Sequence, residues 1–233
     1  MIKSLIFTAT YNEKNNIRVF IEKINQLNID ADILVIDDNS PDNTKLVLDD
    51  LKNTYSNLKV IIRENKQGLD TAHKLGFNYA QSNNYINFIT LDADLSHDPN
   101  EIPKIINLLK NNEFVIGSRY IKGGNCEMSF FRKILSKFGN KIIKYILNMK
   151  CNEFTTSYRG FNLEKLKNFE LNEINSKGYS FFMETIFRLY KKNYSIYEIP
   201  IDFKNRTQGK SKISKIEIFR TLKNLFILKF FNN

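Results

Sequence analysis

Long apolar runs are missing from this chain. No uninterrupted stretch approaches the ~20 residues that a bilayer span needs. The short apolar run from Met1 to Thr8 meets Asn12 and Glu13 before a signal-peptide core could complete. An integral membrane protein is therefore not expected. Cysteine is scarce as well. Cys126 and Cys151 lie far apart and outside any paired motif, which argues against a disulfide scaffold or a zinc site and fits a reducing compartment. With only nine Gly and four Pro, there is no internal repeat, linker or low-complexity segment. No Gly-x-Gly-x-x-Gly follows the first strand and no Walker loop is present. A dinucleotide dehydrogenase and a phosphate-loop NTPase are disfavoured on that ground.

What is present is 233 residues with a formal charge of +10. That length suits a single domain with a substantial core. The charge invites nucleic acid, an anionic membrane or phosphorylated ligands. The chain opens with a strand, Ser4 to Thr8, then a turn and a helix to about Asn28 with Ile17, Phe20, Ile21 and Ile24 on one face. A second strand ends in Asp37-Asp38, and Val60-Ile61-Ile62 is a third. Lys66-Gln67-Gly68 opens the next helix, and Phe114 to Gly117 is a fifth strand. This alternation predicts a mostly parallel α/β sheet with helices on both faces.

The fourth strand matters most. Tyr85 to Leu91 reads as a buried strand, and it stops abruptly at Asp92-Ala93-Asp94-Leu95-Ser96-His97-Asp98-Pro99. Open α/β sheets bind ligands beyond the carboxyl ends of their strands. Two carboxylates there are costly unless a cation or donor shares their charge. Oxygen-only ligands suit Mg²⁺ or Mn²⁺. The plainer alternative is that Asp92 begins a turn and Asp94 caps a helix.

After Tyr120 the character changes. Residues 128–150 contain no acid, and Phe131, Leu135, Phe138, Ile142 and Tyr145 recur at helical spacing among Arg132, Lys133, Lys137, Lys141 and Lys144. This predicts a basic amphipathic helix, or two broken near Gly139-Asn140. A helix from Gly178 to Tyr190 carrying Glu184, a strand from Ile196 to Phe203, a basic loop at 206–212 and a second apolar, basic helix at 213–231 follow. The chain thus divides into a ligand-binding half, 1–120, and an appended half, 121–233, within one domain.

Five segments now stand in order: Ala9-Thr10-Tyr11-Asn12-Glu13, Ile36-Asp37-Asp38-Asn39-Ser40-Pro41-Asp42, Asp92 to His97, Gly117-Ser118-Arg119-Tyr120, and Arg206-x-x-Gly-x-Ser-Lys212. Together they resemble the polyprenyl-phosphate, dolichyl-phosphate mannose synthase-like glycosyltransferases of family 2. The resemblance implies a GT-A fold and inverting transfer of a hexose-like sugar from a nucleotide-diphosphate sugar to a polyprenyl phosphate. It implies that Ala9, Tyr11 and Glu13 line the nucleotide site, that Ile36 and Asp38 meet base and ribose, and that Asp92 and Ala93 touch the nucleotide. Asp94 with Ser96 would hold Mg²⁺ or Mn²⁺. Arg119, Arg206 and Lys212 would gather the phosphates, with Arg132 a further residue for the acceptor. Asp92, Asp94 and Arg119 are the implied catalytic set. Ala9 replaces the family's usual Pro, and Thr155-Thr156-Ser157-Tyr158-Arg159 departs from the commoner Thr-Ser-Gly-Phe-Arg.

The resemblance further implies a peripheral enzyme on the cytoplasmic face of a membrane, bound through 128–150 and 213–231, and leaves room for a membrane-anchored partner subunit. The chain ends at Asn233 without the transmembrane helices of many relatives, as short members do. Nucleic acid is not an expected partner, because the paired aromatic or Gly signatures of RNA modules are absent. One alternative is a related family 2 enzyme acting on a glycan or protein hydroxyl. Such an acceptor needs a base, and Glu184 is the residue available. A phosphohydrolase using Asp92 and Asp94 would place them after the first strand of its sheet, not the fourth.

Overall fold

The computed structural model describes residues 3–205 and 215–231. The apolar runs form β1 (Ser4–Thr10), β2 (Ala31–Asp37), β3 (Leu58–Ile62), β4 (Asn87–Thr90) and β5 (Phe114–Ser118). Side chains alternate between two cores: Leu5, Phe7, Leu34 and Ile36 enter one, Ile6, Ile33 and Val35 the other. Strands apolar on both faces need cover on both. Helices α1 (Lys14–Gln26), α2 (Thr44–Thr54) and α4 (Ile102–Leu109) supply one side through Phe20, Leu48 and Ile105. Helices α3 (Leu69–Ser82) and α6 (Tyr179–Lys191) supply the other through Phe77, Phe181 and Phe182.

The second half of the chain adds β7 (Arg159–Asn162) and β8 (Ile196–Pro200) to the same sheet, whose order is β3-β2-β1-β4-β7-β5-β8. All pairings are parallel except those of β7, which runs antiparallel between β4 and β5. The mostly parallel sheet is as the sequence pattern predicts; β7 is not foreseen. Arg159-Gly160-Phe161-Asn162 has no strand-like alternation, and its position comes from long-range pairing. Gly160 is required there: a Cβ would lie 2.5 Å from Ile105 Cγ2 and 3.0 Å from Leu109 Cδ1, so a side chain would push α4 off the sheet.

The late strand divides in two. At Ile201 the chain leaves β5, its N–H donating to Ser118 O at 3.2 Å while Asn125 N–H donates to Ile201 O at 2.9 Å. It then pairs as β9 (Asp202–Phe203) with the short β6 (Asn125–Cys126). The basic amphipathic segment is one helix, α5 (Phe130–Leu147), unbroken through Gly139. Asn140 is buried in it and binds both Ser136 O (2.8 Å) and the Phe154 N–H (2.7 Å). The terminal helix is α7 (Lys215–Phe231). No helix among the described residues is long and apolar enough to cross a membrane.

Candidate active site

The chain steps from β1 to β2 on one side and returns to β4 on the other. A crevice therefore opens over the carboxyl ends of β1 and β4, where such sheets take ligands. Asp37 fixes its β1–β2 wall. The fully buried carboxylate accepts from Thr10 Oγ1 (2.8 Å), Ser40 Oγ (2.6 Å) and the Ser40 N–H (2.8 Å). Asp38 beside it pairs with buried Arg63 and accepts the Gly68 N–H at 3.1 Å. Arg63 also binds Thr71 Oγ1 and Gly68 O. Lys66 in the same loop lies over the Tyr11 ring, 3.8 Å from its centroid. Glu13 accepts from Asn16 Nδ2 at 2.8 Å. Of the expected nucleotide residues, Tyr11, Glu13 and Asp38 are thus held at this wall by Lys66, Asn16 and Arg63, while Ala9 lies in β1 and packs against the core. Ile36 is different: its side chain is wholly in the core, so only its backbone could meet a ligand.

Beyond β4 the acidic turn is tightly built. Asp94 is buried, and its Oδ1 accepts both the Ser96 N–H (3.0 Å) and Ser96 Oγ–H (2.6 Å). The Ser96 hydroxyl therefore orients the carboxylate. Asp92 is the more open of the pair, with 37% of its side chain exposed, while Ala93 packs into the core. Leu95 adopts φ +62°, a left-handed conformation that costs a non-glycine residue about 1–2 kcal/mol.

Behind the turn lies His97. Burial holds the imidazole below its usual pKa despite the neighbouring carboxylates of Asp92 and Asp94, so it is neutral and makes no ion pair with Asp92. Its Nδ1 accepts the Asp92 N–H at 3.3 Å. The proton is thereby assigned to Nε2, which meets Thr156 Oγ1 at 3.1 Å. Thr90 Oγ1 donates to Ser157 O, and Tyr158 Oη donates to Asp98 O at 2.9 Å. The divergent Thr155–Arg159 segment is thus the buttress of the acidic turn. Arg159 anchors it without an acid, donating to the carbonyls of Thr156, Phe182 and Phe154. Burial lowers its pKa to about 9.

Arg119 follows β5 and is buried against Glu153, which is fully enclosed. Nε donates to Oε2 (2.7 Å) and Nη2 to Oε1 (2.9 Å), with Thr155 Oγ1 also taking Nη2 at 2.8 Å. Burial would lower the Arg119 pKa, but Glu153 outweighs it and raises it. Glu153, Arg63 and His97 are the site residues that the motif reading missed. Arg132 sits on exposed α5, and Arg206 and Lys212 lie outside the described residues. Glu184 is buried on α6, accepting from the Ser176 N–H (2.8 Å) and from Arg188 (3.1 and 3.2 Å).

Among the described residues no three His, Cys, Asp or Glu side chains cluster as a metal cage. The donors of the turn are carboxylate oxygens, and both His97 nitrogens are engaged. That set fits a hard divalent ion that completes its shell with water and phosphate oxygens.

A parallel sheet with an acidic turn at its switch point and an arginine beside it is the GT-A arrangement of a glycosyltransferase. The family profile described as Glycosyl transferase family 2 matches residues 5–169, and the chain belongs to that family. Among curated relatives it is 32% identical over 215 residues to a polyprenol monophosphomannose synthase of Mycolicibacterium smegmatis, covering 91% of this chain and 81% of the relative. It is 31% identical over 214 residues to an undecaprenyl-phosphate mannosyltransferase of Micrococcus luteus, covering 91% and 88%. Among solved structures, a glucosyl-3-phosphoglycerate synthase from Mycobacterium tuberculosis in complex with Mn²⁺, UDP and phosphoglyceric acid superposes with a TM-score of 0.68. That likeness, at 13% identity, covers 96% of this chain and 76% of the other.

Proposed function

We propose that the protein transfers one hexose-like sugar, of mannose or glucose type, from a nucleotide-diphosphate sugar to a polyprenyl phosphate, inverting the anomeric carbon. The carrying observation is the surface next to the site. Helix α5, which bears Arg132, exposes Phe130, Phe131 (84%), Leu135, Phe138 and Tyr145 (87%). On α7, Phe219 (79%), Phe226 and Phe230 are also exposed. Apolar faces rimmed by Lys and Arg bind headgroup layers, with roughly 1 kcal/mol per basic residue at an anionic leaflet. This surface supports a peripheral position on the cytoplasmic face, where a lipid phosphate presents itself. The names of the relatives support the acceptor class.

Asp94 with Ser96, which are hydrogen-bonded to each other, would hold Mg²⁺ or Mn²⁺, and the more open Asp92 would lie toward the nucleotide. The ion supplies positive charge to the departing diphosphate. Arg119, fixed by Glu153, presents the remaining Nη1 edge of its guanidinium, which has no hydrogen-bond partner among the described residues. A guanidinium suits phosphate oxygens. The acceptor has a second pKa of about 6 and is largely ionised at neutral pH. Its oxygen forms the new bond to the anomeric carbon as the bond to the diphosphate breaks, and no proton has to move. No general base is needed.

The test is transfer of label from GDP-mannose and from UDP-glucose to a polyprenyl phosphate in anionic liposomes with Mn²⁺. A glycolipid labile to mild acid, lost with chelator, is expected, with the protein co-sedimenting at low salt. A blank across donors with metal present overturns the reading.

A hydroxyl acceptor would demand a base, and Glu184 already serves Ser176 and Arg188. Glu184→Gln is expected to keep lipid transfer within a few-fold and to cost about 1–2 kcal/mol of stability. Steady-state kinetics and urea titration check both. Wild-type transfer to a glycan or protein hydroxyl, abolished in the folded variant, would favour the hydroxyl acceptor.

A further inference from the structure

Phe203 is the residue that joins the two sides of the site. Its ring stands edge-on to His97, centroids 5.2 Å apart at 73°, and the Arg119 guanidinium carbon lies 5.2 Å from the same centroid. The next residue, Lys204, donates its N–H to Ser96 O at 3.0 Å. The end of β9 and the residue after it therefore touch the acidic turn twice, once through the Lys204 backbone bond and once through the Phe203 ring. His97 passes the second contact on, because its Nδ1 holds the Asp92 N–H. That hydrogen bond is long, so its strength depends on how the imidazole is turned.

We propose that Phe203 is a positioning residue: its ring sets the His97 imidazole, which sets the backbone of Asp92, and it ties that turn to Arg119. The placement of the ring depends in turn on β6, since Phe203 is held in register opposite Cys126. A displacement of β9 therefore reaches the donor carboxylates and the arginine together. Neither His97 nor Phe203 needs charge for this, and neither need touch a substrate. The effect on catalysis rests on the transfer reaction proposed above, whereas the effect on nucleotide binding does not.

The probes are GDP and UDP, each with Mn²⁺, titrated alongside kcat, KM and the thermal midpoint. Phe203→Leu keeps apolar bulk but loses the ring edge, and is expected to weaken Mn²⁺-dependent binding about fivefold, while Phe203→Tyr stays within about twofold. His97→Asn retains an acceptor near the place of Nδ1 and should bind better than His97→Gln, which retains only the Thr156 arm. Adding Phe203→Leu to His97→Gln should cost less than the product of the two single penalties, because only the ring's contact with Arg119 is then left to lose. Unchanged binding and kcat in folded Phe203→Leu, even with a lower midpoint, overturns the proposal, as do penalties that simply multiply in the double variant. If Phe203→Leu does not fold, Phe203→Met, which also keeps apolar bulk and loses the ring, carries the same comparison with Phe203→Tyr. A wild type that binds a probe but transfers to no lipid sinks the transfer reaction and leaves the binding result standing. One that binds neither probe sinks both.

Discussion

Asp94→Asn is expected to remove metal-dependent transfer while leaving the fold in place. The asparagine keeps an Oδ1 acceptor for the Ser96 N–H and hydroxyl, which now bind Asp94 at 3.0 and 2.6 Å, so the turn has no reason to collapse. What goes is the negative charge that a divalent ion needs. A metal at a leaving group supplies several kcal/mol of transition-state stabilisation. At about 1.4 kcal/mol per decade, the rate should fall about a thousandfold. Calorimetric titration of GDP and UDP with and without Mn²⁺ supplies the second readout. Wild-type binding should be strengthened by the ion and the variant's should not. A variant that keeps both metal-stimulated binding and turnover would place the ion elsewhere. Thermal midpoints of the two proteins should nearly coincide, which separates lost chemistry from lost structure.

The strand that delivers Asp94 is legible in the sequence because burial on both faces writes itself as a short run rich in apolar, β-branched and aromatic residues, and Tyr85 to Leu91 is one even with Asn87 and Thr90 inside it. The same holds for the first, second and fifth strands, and hence for the crevice between them. The partners of the charged residues are another matter. Asp38 and Arg63, or Arg119 and Glu153, are brought together by strand order, and nothing in local periodicity announces such a pair. β7 escaped notice for the same reason: its identity lies in what it pairs with, Ile89 and Val115 among others, and not in its own four residues. One signal was available. Glu153 is the first acid after Glu127 and ends a long basic run between Cys151 and Phe154. A lone carboxylate has to be paired if it is buried. Arg119, carried by a motif, was the cation in need of explanation.

Glu153→Gln should then be the most damaging single change to stability. Both groups are buried, so the arginine would be left as an uncompensated charge, and breaking one side of such a pair costs about 3–5 kcal/mol. Its pH dependence has a definite sign. Burial alone would raise the Glu153 pKa, but the charge and hydrogen bonds of Arg119, with Thr155, outweigh it and hold it below the usual carboxylate range. The folded-state pKa lies below the unfolded one, so the pair contributes fully at neutral pH. That contribution falls away as pH drops below the unfolded value of about 4.3 and through the folded one. Urea titrations of wild type should show the loss at the acid end, and those of Glu153→Gln should lack that portion of the slope. The double replacement Arg119→Met with Glu153→Leu removes both charges together. Exchanging a buried pair for apolar side chains is often neutral or better for stability, so the fold should largely return. Transfer should not return, because the guanidinium proposed to grip the phosphates is gone. If activity came back with stability, Arg119 would be a structural partner of Glu153 alone, and the phosphates would depend on other cations. If stability stayed low, the cost of Glu153→Gln would come from packing around Thr155 and not from a stranded charge.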